Sequence, residues 1–213
     1  MKNKEHFGKN LSFISSSPED DSLSLGVIFL LHGFGANMRD LVDIAPMINQ
    51  KDFIYIFPNA PFEINSGFNQ KAYSWFDFDN LNEIKESEKI LENTIEESLG
   101  LFNIDKDKIY LGGFSQGGMM TMHADIIHQN LFSGLLILSS TIISQIDLNI
   151  DLSLNPRAFL AHGTNDSIIS INQGQETHRK LISKGLNVEY HEYEMGHQII
   201  EKEIIDIKSW LSE

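Results

Sequence analysis

The run Gly113-Phe-Ser115-Gln-Gly117 follows the apolar stretch Ile109-Tyr-Leu-Gly and precedes a helical pattern. It is G-x-S-x-G in a strand–turn–helix setting. Such a turn must be sharp, in a sparsely allowed backbone conformation, for the serine to project its hydroxyl. Side chains at 113 or 117 would collide with the neighbouring strand or helix. The Gln116 amide then opens the helix, where unpaired N–H groups and the helix dipole favour a developing negative charge. The chemistry this suits is covalent attack on a carbonyl carbon. A glycine-rich turn with an incidental serine is the bland alternative.

Serine is a weak nucleophile, so a base and an orienting acid must be found. In this kind of sheet they follow in the order serine, acid, histidine. Asp166, in Leu160-Ala-His-Gly-Thr-Asn-Asp166, comes just after an apolar strand pattern, where a carboxylate would stand at the carboxyl edge of the sheet. Its plainer reading is a turn or helix-cap residue; Asn165, Asp147 and Asp151 are weaker rivals. His197, in Glu194-Met-Gly-His197-Gln, lies between the last strand and the last helix, and its plainer reading is a surface histidine. Of the other histidines, His6, His123, His128, His178 and His191 fall in a tail, on helices or in a strand. His32 and His162 each precede a glycine at a strand end, which suits structural turn roles. None has metal-ligand spacing, so no metal is assigned. A second donor for an oxyanion is expected after an early strand; Leu30-Leu-His-Gly-Phe-Gly-Ala-Asn37 fits, with the Phe34 amide as donor.

These residues need a frame. Short β-branched and aromatic runs alternate with longer amphipathic stretches, the pattern of βαβ units around a largely parallel sheet. Strands are expected at Leu25–Leu31, Phe53–Phe57, Ile109–Gly112, Leu135–Leu138, Ala158–Ala161 and Val188–Tyr193. Helices are expected at Arg39–Asn49, Leu81–Leu101, Gln116–Gln129, Asn172–Lys184 and Ile199–Leu211, with Gly185 ending the fourth. Two segments resist assignment, Asn59–Asn80 and Ser139–Asn155, and long loops of this kind are often functional. The first holds Phe62, Phe68, Tyr73, Trp75, Phe76 and Phe78, which could cover one end of the core, line an acyl pocket, or do both.

Composition narrows the function further. The 213 residues include 16 basic and 30 acidic side chains, a formal net charge of -14, which argues against a nucleic-acid partner. No apolar stretch approaches the ~18 residues of a membrane span, so no integral membrane association is expected. Charges near the N-terminus have no apolar segment behind them, which points to a cytoplasmic protein. With no cysteine there is no thiolate zinc site, disulfide or cysteine nucleophile. No repeat or linker divides the chain, so residues 1–213 are read as one domain.

Leu31-His-Gly-Phe-Gly35, Phe57-Pro-Asn-Ala-Pro61, Ser74-Trp-Phe-Asp77, Gly112-Gly-Phe-Ser-Gln-Gly-Gly118, His162-Gly-Thr-Asn-Asp166 and Gly196-His197 follow one another along the chain. In them the sequence resembles the phospholipase/carboxylesterase branch of the α/β-hydrolases, which includes the acyl-protein thioesterases. The resemblance implies an α/β-hydrolase fold, a mostly parallel central sheet with helices on both faces. It implies Ser115 as nucleophile, Asp166 and His197 as its partners, and the Phe34 and Gln116 amides as oxyanion hole. It also implies that the Trp75 segment borders the acyl site, with Phe68, Trp75 and Phe76 as substrate contacts. The expected activity is hydrolysis of a small-molecule carboxylic ester or thioester, without cofactor, by a monomer or homodimer. Phe34, Ala36 and Asn37 depart from many thioesterase members, so mechanism carries over further than substrate. A non-catalytic hydrolase-like binding protein, or a peptidase or lactone hydrolase on the same scaffold, are the alternatives.

Overall fold

The computed structural model describes residues 1–20, 24–65, 71–123, 131–146 and 157–213. Strand β3 (Leu25–Leu31) is buried at every position, and so are β4 (Phe53–Pro58) and β8 (Gly134–Leu138). Continuous apolar runs of this kind form where both faces of a sheet are covered. Their neighbours are β7 (Ile104–Phe114), β9 (Arg157–Gly163) and β10 (Asn187–Tyr193). Among the described residues the main sheet has eight strands in the order β1-β2-β4-β3-β7-β8-β9-β10, parallel from β4 to β10.

Alternate residues of each strand divide the core in two. Val27, Phe29 and Leu31 face α2 (Asn82–Leu99), α3 (Gln116–His123) and α4 (Ile171–Ser183). Ile28 and Leu30 face the short α1 (Ala45–Ile48) and α5 (Glu201–Trp210). Helices therefore cover both faces, as expected. Gly185, at φ 94, ends α4, and the Leu186 amide returns to the Leu181 carbonyl at 3.1 Å.

The structure departs from the sequence-based expectation at the N-terminus and in the first long loop. Strands β1 (Lys2–Phe7) and β2 (Ser12–Ser17) form an antiparallel hairpin on the β4 edge. Neither carries an alternating apolar signature: β1 is an exposed charged edge, and β2 buries three serines behind Phe13 and Ile14. His6 therefore sits in a strand, with Nε2 2.8 Å from the Ser15 hydroxyl. The aromatic segment contains a second, two-stranded sheet of β5 (Phe62–Ile64) and β6 (Ala72–Ser74). The helix expected over 39–49 is a 3-10 turn at Val42–Ile44 leading into α1, shortened because Pro46 allows no more than an N-terminal turn position. Among the described residues no helix is long and apolar enough to cross a membrane.

One buried acid stands out on the inner side of α5. Glu203 is fully buried beside Ile204 and Ile207. Neither of its carboxyl oxygens makes a hydrogen bond of normal geometry among the described residues. Burial pushes this carboxyl up to about 8, and the Ile200 amide at the helix start offsets only part of that. The group is protonated in the folded chain and ionised in the unfolded chain between roughly pH 4.5 and 8, so folding takes up a proton there. Stability should fall as pH rises through that window, by up to about 1.4 kcal/mol per pH unit. Glu203→Gln should lose this component. Thermal melts at pH 5 and pH 8 should show the variant gaining on the wild type at pH 8.

Candidate active site

Ser115 occupies the turn between β7 and α3 with a left-handed backbone, φ 53. The flanking glycines permit it: a Cβ on Gly113 would overlap the Gly117 backbone, and one on Gly117 would overlap the Leu31 carbonyl of the next strand. The strained residue is held from three sides. Its amide donates to the Leu138 carbonyl at 3.0 Å, and its carbonyl accepts from the Met119 amide at 3.1 Å and from the Ser140 hydroxyl at 2.7 Å. With the backbone so fixed, the Ser115 hydroxyl lies 2.9 Å from His197 Nε2.

The loops after β9 and β10 bring the other two groups together. Amides of Thr164 and Asn165 donate to the carbonyls of Tyr193 and Met195, at 2.8 and 3.0 Å. A Cβ on Gly163 would stand 2.5 Å from the carbonyls of both Met195 and Gly196, so glycine is what lets the two loops approach. His197 Nδ1 then donates to Asp166 Oδ2 at 2.7 Å. A carboxylate accepts only, so the proton sits on Nδ1 and Nε2 is free to accept from the serine. Asp166 Oδ1 accepts from the amides of Ile168 and Ile169, each at 2.9 Å. Burial alone would raise the Asp166 carboxyl, but His197 and these two amides outweigh it and hold the group below the usual carboxylate range. Phe114 flanks the imidazole, ring centroids 4.8 Å apart.

Asn165 contributes its backbone to the loop pairing; Asp147, Asp151 and His128 lie outside the described residues. His32 is a turn residue, as expected: its Nε2 accepts from the Ala60 amide and its Nδ1 donates to the Gly33 carbonyl. Burial pushes it down to about 4. His123 is buried, and its Nε2 accepts from the Ile143 amide at 2.8 Å. His178 stacks on Tyr190 and His191 on Phe159.

The loop carrying Phe34 lies beside the serine, since a Cβ on Gly33 would be 3.4 Å from Ser115 Cβ. Among the described residues the amides of Phe34 and Gln116 have no acceptor. Trp75 and Phe76, expected to touch substrate, are instead wholly buried and absent from the cleft wall. The reason is a hydrogen-bonded brace. Gln116 Oε1 accepts from the Trp75 amide at 2.9 Å, Gln116 Nε2 donates to the Phe76 carbonyl at 2.7 Å, and Trp75 Nε1 donates to the His32 carbonyl at 2.9 Å. Tyr73 pairs with the same loop through Gly35 and Ala36. Phe68 lies outside the described residues.

The cleft that opens onto Ser115 has a volume of about 500 Å³. Among the described residues its walls combine apolar Phe34, Phe78, Leu81, Met119, Ile142, Ile143, Ile168 and Ile169 with polar Thr141, Ser144, Gln145 and Gln173, and none of these is charged. Phe34, Phe78 and Ile168 are 56%, 55% and 70% exposed, so the rim is apolar. Sequence reasoning named Phe78 only as one of six aromatics, and missed the isoleucines. For Ile142 and Ile143 the density of Ile and Leu after Ser139 was the available signal.

A mostly parallel sheet with helices on both faces, and a serine turn meeting a histidine and an acid at its carboxyl edge, define an α/β-hydrolase. The model of the Phospholipase/Carboxylesterase family matches residues 15–213, and the chain belongs to that family, whose members are hydrolases of esters and thioesters. Acyl-protein thioesterase 1 of Yarrowia lipolytica is 30% identical over 206 residues, 87% of this chain and 90% of that protein. Lysophospholipase-like protein 1 of Mus musculus is 27% identical, covering 88% and 86%. The fold is similar to that of the Bacillus cereus carboxylesterase, with a TM-score of 0.80 at 21% identity over 96% of this chain and 94% of that one.

The brace carries a stability prediction. Gln116→Leu would leave the buried Trp75 amide unpaired and the Phe76 carbonyl on the Ser74 hydroxyl alone, a loss of about 2 kcal/mol. Urea unfolding should show a lower midpoint without a change in slope.

Proposed function

We propose that this chain hydrolyses carboxylic esters or thioesters with apolar acyl groups through an acyl-enzyme on Ser115. The observation that carries the reading is the unbroken contact Ser115 Oγ to His197 Nε2 at 2.9 Å and His197 Nδ1 to Asp166 Oδ2 at 2.7 Å. In the first step Ser115 Oγ attacks the carbonyl carbon while His197 Nε2 takes its proton, and the carbonyl π electrons move to oxygen. The Phe34 and Gln116 amides receive that oxyanion, at the positive end of α3; one such donor is worth roughly 3 kcal/mol. Collapse expels the alcohol or thiol, which takes the proton from His197. Water then attacks the acyl-enzyme by the same route, releasing the acid. Asp166, held ionised, keeps the imidazole in the tautomer that accepts from serine.

The substrate class rests on the apolar rim and on the absence of charge among the described wall residues, which favour a neutral acyl chain over a charged one. Relatives named acyl-protein thioesterase and lysophospholipase-like protein agree with that class.

Ser115→Ala should lower kcat/KM on acyl esters and thioesters by at least about 10³-fold, since the remaining donors and binding give only residual catalysis. Retention of full activity would sink the assignment. On its acid side kcat/KM should fall in a one-proton step, because His197 must be unprotonated to act as base. A flat profile would argue against that role.

A further inference from the structure

We infer that His162 is a positioning residue for Asp166, acting on the carboxylate through the turn that follows it. This rests on the roles proposed above for Ser115, His197 and Asp166.

His162 is wholly buried in β9, four residues before Asp166. Its Nε2 lies 2.8 Å from the Ile169 carbonyl. A carbonyl only accepts, so this nitrogen carries the proton and donates. The same Ile169 residue donates its amide to Asp166 Oδ1 at 2.9 Å. Ile169 is thus held at both ends, by the acid through its N–H and by His162 through its C=O. A displaced Ile169 would withdraw an amide from Asp166 Oδ1 and leave that oxygen on the Ile168 amide alone.

Two observations show that the imidazole is kept for this bond and not as filler. Its Nδ1 is buried with no hydrogen-bond partner among the described residues, a cost that an apolar side chain of similar size would avoid. The fold also gives up a side chain on α4 to house the ring: a Cβ on Gly174 would stand 2.6 Å from both His162 Cγ and Nδ1. Nε2 lies in addition 3.6 Å from Asp166 Oδ2, the oxygen that binds His197, so the carboxylate is flanked by two imidazoles. Among the described residues His197 is the other titratable group against Asp166, and its far nitrogen meets Ser115. Burial of the His162–Ile169 bond shields it from competing water, which suits a fixed strut.

The test is a set of pH–rate profiles on an acyl ester with His162→Phe, His162→Gln and Gly174→Ala. His162→Phe keeps the bulk and loses the donor. It should lower kcat/KM about 10- to 100-fold, chiefly in kcat. It should also move the acid-side midpoint down by at least half a pH unit, because a loosened carboxylate favours the imidazolium less. His162→Gln, which can donate to the Ile169 carbonyl, should restore part of both. Gly174→Ala, which pushes the ring without touching the triad, should shift the midpoint in the same direction and stands in if His162→Phe fails to fold. A folded His162→Phe with an unmoved midpoint and kcat/KM overturns the inference while leaving the proposed activity intact. An activity loss that tracks only the folded fraction overturns it too. A wild-type chain that neither hydrolyses acyl esters nor labels at Ser115 with a fluorophosphonate probe removes the functional reading, and this inference with it.

Discussion

The backbone of Ser115 is held where an L-residue is seldom stable, and most of the site exists to hold it there. A left-handed serine costs on the order of 1–3 kcal/mol and persists only where its surroundings leave no alternative. Here they leave none. Gly113 and Gly117 allow β7, α3 and the end of β3 to close to backbone contact, and Leu138, Met119 and Ser140 occupy the polar groups of the strained residue. The same crowding forces the β3 loop, with Phe34, against the serine. Once that contact exists, the Phe34 loop and the Ser115 turn are held beside each other by the strands that bear them.

A second layer of fixation comes from side chains with no chemistry of their own. Trp75 and Gln116 join the aromatic segment to both the β3 loop and the first turn of α3. The turns after β9 and β10 are joined by backbone hydrogen bonds across Gly163. Preorganisation of this type lets electrostatic stabilisation act without reorganisation at the moment of reaction. It also explains why the aromatics at 75 and 76 are buried: their task is to support the cleft wall, while Phe34 and Phe78 form its surface.

The parallel strands and the Ser115, Asp166 and His197 positions were legible in the sequence because their signals are local. Strands buried on both faces read as apolar runs; Ser115 and Asp166 sit just past such runs, and His197 sits past the half-exposed β10 beside Gly196. The N-terminal hairpin was not legible. Its burial depends on pairing with β4 across forty residues, and serines in β2 carry no period of their own. The roles of Trp75 and Phe76 were misjudged for a related reason: composition shows that aromatics are present, and only the partners of the Trp75 indole N–H and amide reveal which way they face. His162 was read as a turn residue, which is right as far as its sequence neighbours go. Its bond to Ile169 spans a loop whose path no motif describes.

The cleft walls are drawn from stretches that differ from those holding the polar groups. Residues 34, 78 and 81, 142 and 143, and 168 and 169 form the apolar surface, each projecting from a connection outside the sheet. Side chains there can be exchanged without altering the strand ends that bear Ser115, Asp166 and His197. Such a molecule separates what it accepts from what it does: lineages sharing this scaffold are free to diverge in diet while inheriting one reaction unchanged.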